Sequence, residues 1–143
     1  MDEIAKAARR AQINSELIPL RNGGDSNVST RKRLIEQLDR LRPARNKLNA
    51  CISDALTVAR NVERCHHKIP DSNFKGRRRQ HLVSRLVDAG GNIRAQRERH
   101  KRNLERLDNQ INSVRDRRDG LAITIQNQNS RITTLEAELR SLL

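Results

Sequence analysis

The chain has 143 residues, of which 34% are hydrophobic and 33% charged, and Phe74 is its only aromatic residue. This length fits one domain or one elongated helical unit, and a compact sheet-based core is not expected without aromatic side chains. Lys and Arg number 30 against 17 Asp and Glu, a net charge of +13. So basic a chain points to phosphate backbones, anionic membranes or acidic proteins as partners.

The first 28 residues are predicted to form a short N-terminal helix followed by a linker. Residues 2–18 are rich in alanine, and Ile4 and Ile18 fall on one side of a helix over this range. We expect Pro19 to end the helix because proline has no backbone N–H to donate. Residues 21–27 then have the glycine and asparagine content that is typical of a linker.

Residues 29–143 are predicted to form an elongated antiparallel helical hairpin, or coiled coil, with a turn at residues 70–76. From Leu34 to Ile69, seam positions are separated alternately by four and three residues, and nearly all of them are apolar. The second arm repeats this pattern from Leu104 to Leu142 and is the longer of the two.

Proline and glycine residues predict irregularities within these arms. Pro43 is expected to kink the first arm or to move its start to about residue 42. The adjacent Gly90 and Gly91 make a kink or local break in the second arm plausible, because each glycine lowers helix stability.

The two arms are predicted to differ in length. At about 1.5 Å per residue, residues 29–69 span roughly 60 Å and residues 77–143 roughly 100 Å, so the first arm covers the second only to about residue 115. Residues 118–143 are therefore predicted to overhang, and residues 2–18 could return to cover part of them but supply few large apolar side chains. The uncovered seam is expected to bind a different helical protein or a second copy. The predicted partner-binding residues are Leu121, Ile125, Ile132, Leu135, Leu139 and Leu142, with Leu41, Leu48 and Ile52 from the first arm.

No catalytic or metal-binding pattern is found in the sequence. It lacks a nucleophile elbow, a phosphate-binding glycine loop and a zinc-protease motif, so neither an enzyme nor a cofactor is expected. Cys65, His66 and His67 are consecutive and would point in different directions on a helix, which disfavours a metal site. Cys51 and Cys65 are expected to be buried as small hydrophobic side chains.

The segment 77–102 is strongly basic, with nine Lys and Arg residues against two acidic residues. Such a helix could follow a duplex through phosphate contacts, whereas the lack of interleaved aromatic residues disfavours single-strand recognition. A solvated surface, or one matched to an acidic partner, is the alternative. The candidate anion-binding residues are Arg77, Arg78, Arg79, Arg94, Arg97, Arg99, Lys101 and Arg102.

The turn sequence resembles a family of secreted hairpins. Phe74 and Gly76 form an aromatic-x-Gly motif between two arms, with Cys65 before it and a basic start after it. This arrangement is similar to the WXG-motif hairpins of bacterial type VII secretion. It is more similar to the small helical partners encoded beside LXG polymorphic toxins. The chain departs from the family in having Phe for Trp, in having no Tyr-x-x-x-Asp/Glu export signature, and in its unusually positive charge, which implies an acidic partner.

The resemblance implies an all-α adaptor or chaperone that pairs with the helical N-terminal domain of a toxin for type VII secretion. The alternative is a basic, self-assembling coiled-coil protein that binds the nucleic acid backbone, and a third option is a cytoskeletal or tethering coiled coil. With no apolar run of 18 residues and no apolar stretch after Met1, no membrane span or signal peptide is expected. The expected location is cytoplasmic, or outside the cell by export without a cleavable signal.

Overall fold

A computed structural model of the protein describes residues 2–65 and 76–143. It contains two helices, α1 over Glu3–Arg64 and α2 over Arg77–Ser141, and the described residues form no strand. The two helices pack against each other, so the predicted all-α helical hairpin is confirmed. Neither helix, within the described ranges, has a stretch long and apolar enough to cross a bilayer.

The chain divides into two compact units, each built from a segment of α1 and a segment of α2. The first unit comprises Met1–Asp39 and Asn112–Leu143, and the second comprises Arg40–Ile111. Lys and Arg number 12 in the first unit against 10 acidic residues, a net charge of +2. The second unit has 18 against 7, a net charge of +11. We call them the balanced unit and the basic unit.

The balanced unit has the largest buried apolar cluster. Ile13 and Leu17 of α1 pack against Leu135 and Leu142 of α2, and Leu20, Ile132 and Leu139 lie around them. The segments are antiparallel, since Arg9 lies beside Glu138 and the later Glu16 lies beside the earlier Arg131. Burial of the leucine and isoleucine side chains supplies the main stabilisation, about 1.5–3 kcal/mol for each fully buried side chain.

The basic unit has a thinner apolar core. Ile52 and Ala59 are buried on α1, and the facing α2 positions include the buried Gly90 and the half-buried Ile93. Ion pairs between Arg45 and Asp108, and between Glu63 and Arg94, show that the segments are antiparallel here too.

The predicted short helix and linker over residues 1–28 are wrong, because α1 continues through Pro19 and through residues 21–27. Pro19 is exposed, and so is Ser15, whose carbonyl loses its usual donor. Water can therefore bond the freed carbonyl, while the neighbouring Leu17 and Leu20 hold the helix against α2. Pro43 is likewise exposed and does not mark the start of a helix.

The predicted overhang of residues 118–143 is wrong for the same reason. The segment of α1 that the sequence assigned to a separate helix and linker covers these residues, and Leu135 is fully buried. The paired glycines do not break α2, which is continuous from Arg77 to Ser141. Of the predicted turn at 70–76, all but Gly76 lies outside the described residues.

Candidate functional site

The seam between the helices is longer than the apolar pattern predicts. In the balanced unit it starts at Ile13 and passes through Gly24, Asn27 and Arg31 before reaching Leu34, with three/four spacing throughout. All of these positions are buried or half-buried. Because three successive positions from 24 to 31 are not apolar, a search for apolar periodicity ends there.

The polar seam positions of the balanced unit form one layer. Gln128 of α2 accepts a hydrogen bond through its side-chain oxygen from Asn27 Nδ2 at 3.1 Å. Gly23 leaves room for the same amide, since a Cβ there would lie 3.3 Å from Gln128 Nε2. Polar pairs at seam positions fix the register of one helix against the other. Gln128 therefore has a partner inside this unit.

Ion pairs flank the seam of the balanced unit. Arg9 donates two hydrogen bonds to Glu138, at 2.6 and 2.8 Å, and Arg131 donates to Glu16. The bond with Glu138 raises the pKa of Arg9 above its ordinary value, and the same bond lowers the pKa of Glu138. Both groups stay charged at neutral pH, so this edge of the unit is occupied by internal pairs.

The other edge of the balanced unit carries an open apolar groove of about 820 Å³. Its apolar lining comes from Val28 and Ile35 of α1 and from Ala122 and Ile125 of α2. Val28 is 52% exposed, a large fraction for a valine beside a seam. The remaining lining residues are polar: Arg31, Lys32, Gln126, Asn129, Ser130 and Thr133.

Two cationic side chains, Arg31 and Lys32, line one side of the groove. Guanidinium and ammonium groups are charged donors, so a carboxylate bound in the groove would pair with them. Arg31 and Lys32 thus make one side of the groove suited to an acidic ligand.

Of the predicted partner-binding residues, Ile125 alone lines this groove. Leu135 and Leu142 belong to the buried cluster with α1, and Ile132 and Leu139 pack against it. Leu121 is a half-buried seam residue of the same unit. In the basic unit, Leu41 and Leu48 are half-buried and Ile52 is buried at the seam. The premise of that prediction, an uncovered seam, does not hold.

The basic unit uses some of its predicted anion-binding residues internally. Arg94 donates two hydrogen bonds to Glu63, at 2.7 and 2.9 Å, which raises the pKa of Arg94 and lowers that of Glu63. Arg97 is a seam residue that donates to the backbone oxygen of Ile52 at 3.2 Å. Lys101 lies 3.4 Å from Glu98, and Arg79 is half-buried. Arg77, Arg78, Arg99 and Arg102 are exposed.

A regular row of arginines on α2 was not recognised in the sequence. Arg78, Arg85, Arg99 and Arg106 occupy positions that differ by multiples of seven residues, which places them on one face of a helix whose seam repeats every seven residues. All four are exposed. Counting in sevens from Arg78 would have found the row, with Asn92 at its one interruption. We call these four residues the arginine row.

The cysteine prediction is wrong, because both Cys51 and Cys65 are exposed. Cys51 precedes the seam position Ile52, and Cys65 follows the last residue of α1. No group of metal-ligating side chains forms among the residues that the structure describes. His66, His67 and Phe74 lie outside those residues, whereas Gly76 has a φ of 71°, a conformation that favours glycine.

No protein-family model, curated protein or solved structure matches the chain. The resemblance to the partners of LXG toxins therefore stays a prediction, and the candidate site stands on its geometry.

Proposed function

We propose that the protein is a non-enzymatic helical adaptor that binds one amphipathic helix of a partner protein in the groove of the balanced unit. The observation that carries the proposal is an apolar groove bounded by two helices, with Arg31 and Lys32 along one side. A helix laid along the groove would cover Val28 and Ile35, which lie two turns apart on α1.

The chemistry of the lining defines the bound helix. Apolar residues at positions i, i+3, i+4 and i+7 of the ligand would meet Val28, Ile35, Ala122 and Ile125. Glu or Asp on one flank would meet Arg31 and Lys32, and its carboxylate would accept charge-assisted hydrogen bonds from them. The opposite flank meets neutral side chains such as Asn129 and Thr133, so charge is needed on one side only.

The specific form of this proposal is delivery of a type VII effector. In this form, the bound helix belongs to the helical N-terminal domain of an LXG-type toxin. Two features support it: the hairpin fold, and the aromatic-x-Gly motif of Phe74 and Gly76 in the sequence. The adaptor role requires the groove alone, whereas the secretion role also requires a toxin partner.

The test is a search of the neighbouring genes for an LXG-type N-terminal domain and co-expression of the chain with that domain, followed by calorimetry on the purified pair. Val28→Glu, which places a carboxylate in the groove, is expected to weaken binding by at least about tenfold. Arg31→Gln should weaken it as well, by removing the charged donor. Ile123→Glu is the matched control, because Ile123 is 61% exposed and does not line the groove.

Equal losses from Val28→Glu and Ile123→Glu would reject the groove as the binding site. The absence of an LXG-type gene beside the chain, or of a complex with its product, would reject the secretion role. Light scattering on the isolated chain gives a third result. A homodimer that Val28→Glu converts to monomer would assign the groove to a second copy and overturn the adaptor proposal.

A further inference from the structure

The second interaction surface lies on the basic unit and is independent of the groove. We propose that the arginine row binds the phosphate backbone of duplex nucleic acid without reading its sequence. The row places Arg78, Arg85, Arg99 and Arg106 along one face of α2. Arg78 and Arg85 are seven residues apart, as are Arg99 and Arg106, which separates the two members of each pair by about 10 Å along the helix axis. Arg85 and Arg99 are separated by about 21 Å, and the whole row spans about 42 Å.

The four guanidinium groups are available for an external anion. Among the described residues, no carboxylate lies within ion-pairing distance of Arg78, Arg85, Arg99 or Arg106. Other arginines of the same helix are paired, as Arg94 is with Glu63 and as Arg118 is with Asp119. Glu98, next to the row, already lies within 4 Å of Arg97 and Lys101. Arg77 and Arg102 of α2 are exposed and have no carboxylate partner among the described residues either, so the row is defined by its seven-residue spacing together with its lack of partners.

The charge of the row ends with the basic unit. Continuing in steps of seven residues, α2 has Ser113, Gly120, Asn127, Thr134 and Ser141 in place of arginine. The net charge of +11 in the basic unit, against +2 in the balanced unit, follows the same boundary. A general excess of arginine in the composition would not stop there, so the distribution points to a local function.

Phosphate is the anion that the row fits best. A guanidinium binds a phosphate through two parallel hydrogen bonds, and duplex DNA has one phosphate per about 1.7 Å of helix axis. A row of about 42 Å is longer than one turn of duplex DNA, about 34 Å, so a duplex lying along the row brings the phosphate backbones of both strands across it. Base stacking on single strands needs aromatic side chains, and Phe74 is the only one in the chain.

An anionic membrane and an acidic protein fit the row less well. Membrane-surface helices place large apolar residues next to their basic face, and protein interfaces have an apolar centre. In the described part of the basic unit, the exposed large apolar residues are Val58 and Val87 alone. Neither belongs to a patch that could insert into lipid or form the centre of a protein interface.

The test measures the fluorescence anisotropy of a labelled 20-base-pair duplex of mixed sequence between 50 and 200 mM NaCl. The full-length chain should bind the duplex, and its affinity should fall steeply with salt. The variant R78Q/R85Q/R99Q/R106Q should lose affinity on the order of 100-fold, and the slope of log K against log salt should become shallower by about 3 to 4. Circular dichroism checks that the variant remains helical.

The control variant R33Q/R115Q/R117Q/R140Q removes the same charge from exposed positions of the balanced unit. It should retain most of the affinity, because these positions are not aligned in a row. Equal losses in the two variants would show that net charge alone causes binding and would overturn the proposal. So would binding that does not depend on salt.

Tighter binding to polyglutamate, or to vesicles containing phosphatidylserine, would assign the surface to another ligand. Val28→Glu should leave duplex binding unchanged, so failure of this proposal is separable from failure of the groove.

Discussion

At the residue scale, the two adjacent glycines of α2 have different environments although the sequence presents them as one pair. A Cβ on Gly90 would lie 2.5 Å from Glu63 Cγ, whereas a Cβ on Gly91 would meet nothing within 4 Å. Glu63 also accepts both hydrogen bonds from Arg94, so the side chain that would clash is held in place. The close approach of Glu63 on α1 therefore depends on the missing side chain of Gly90, whereas position 91 has room for a side chain.

We predict that alanine stabilises the protein at position 91 but not at position 90. Gly91→Ala should raise the free energy of unfolding by about 0.5–1 kcal/mol, because alanine loses less backbone entropy in a helix. Gly90→Ala should be less stable than Gly91→Ala by about 1 kcal/mol or more, because Glu63 must move. Urea denaturation of the two variants measures the difference. If Gly90→Ala gained as much stability as Gly91→Ala, the close approach of Glu63 would be disproved.

At the element scale, the continuity of α1 depends on where its irregular residues lie. Pro19 and Pro43 are exposed, so each removes a hydrogen bond on the solvent side, where water replaces it. Gly23 and Gly24 lie on the seam side beside Gln128. A residue that lowers helix propensity can thus be tolerated where α2 packs against α1, because tertiary packing outweighs local propensity.

The polar layer of the balanced unit gives the prediction at this scale. Asn27→Ala would leave Gln128 without its partner, and we expect it to lower the free energy of unfolding by about 1–2 kcal/mol. Replacing both residues with leucine removes both polar groups and should be less destabilising than Asn27→Ala alone. A double-mutant cycle with Asn27→Ala and Gln128→Ala checks the pairing. A coupling energy near zero would show that the two amides do not interact.

The apolar pattern predicts the hairpin but not its full extent. From Leu34 onward, leucines and isoleucines mark the seam of α1 in the sequence, and from Leu104 they mark that of α2. Between Leu20 and Leu34 the seam passes through Gly24, Asn27 and Arg31, which no apolar template recognises. Their role depends on Gln128 and on the α2 side of the groove, which are more than 90 residues away in the chain. Long-range pairing of this kind becomes visible only when the two helices are placed together.

At the scale of the whole molecule, apolar and charged surfaces are divided between the two units. The balanced unit has the largest apolar cluster and the groove. Its basic and acidic residues are nearly equal in number and give a net charge of +2. The basic unit has fewer buried large side chains and a net charge of +11. The sequence gives the total charge directly, but assigning that charge to units requires knowing which segments of α1 and α2 pack together.

This division predicts that the two units respond differently to salt. Like charges in the basic unit repel one another, and sodium chloride screens that repulsion because the Debye length falls from about 30 Å at 0.01 M to about 3 Å at 1 M. Amide hydrogen exchange in Arg40–Arg64 and Arg77–Ile111 should therefore slow as salt is raised from 0.02 to 0.5 M.

Exchange in the balanced unit serves as the internal control and should change little, because its positive and negative charges are nearly equal in number. Salt also weakens the inter-helix ion pairs of the balanced unit, such as Arg9 with Glu138, and this effect would speed exchange rather than slow it. Equal slowing in the two units would contradict the charge-repulsion argument, and faster exchange in the basic unit would show that its internal pairs outweigh the repulsion.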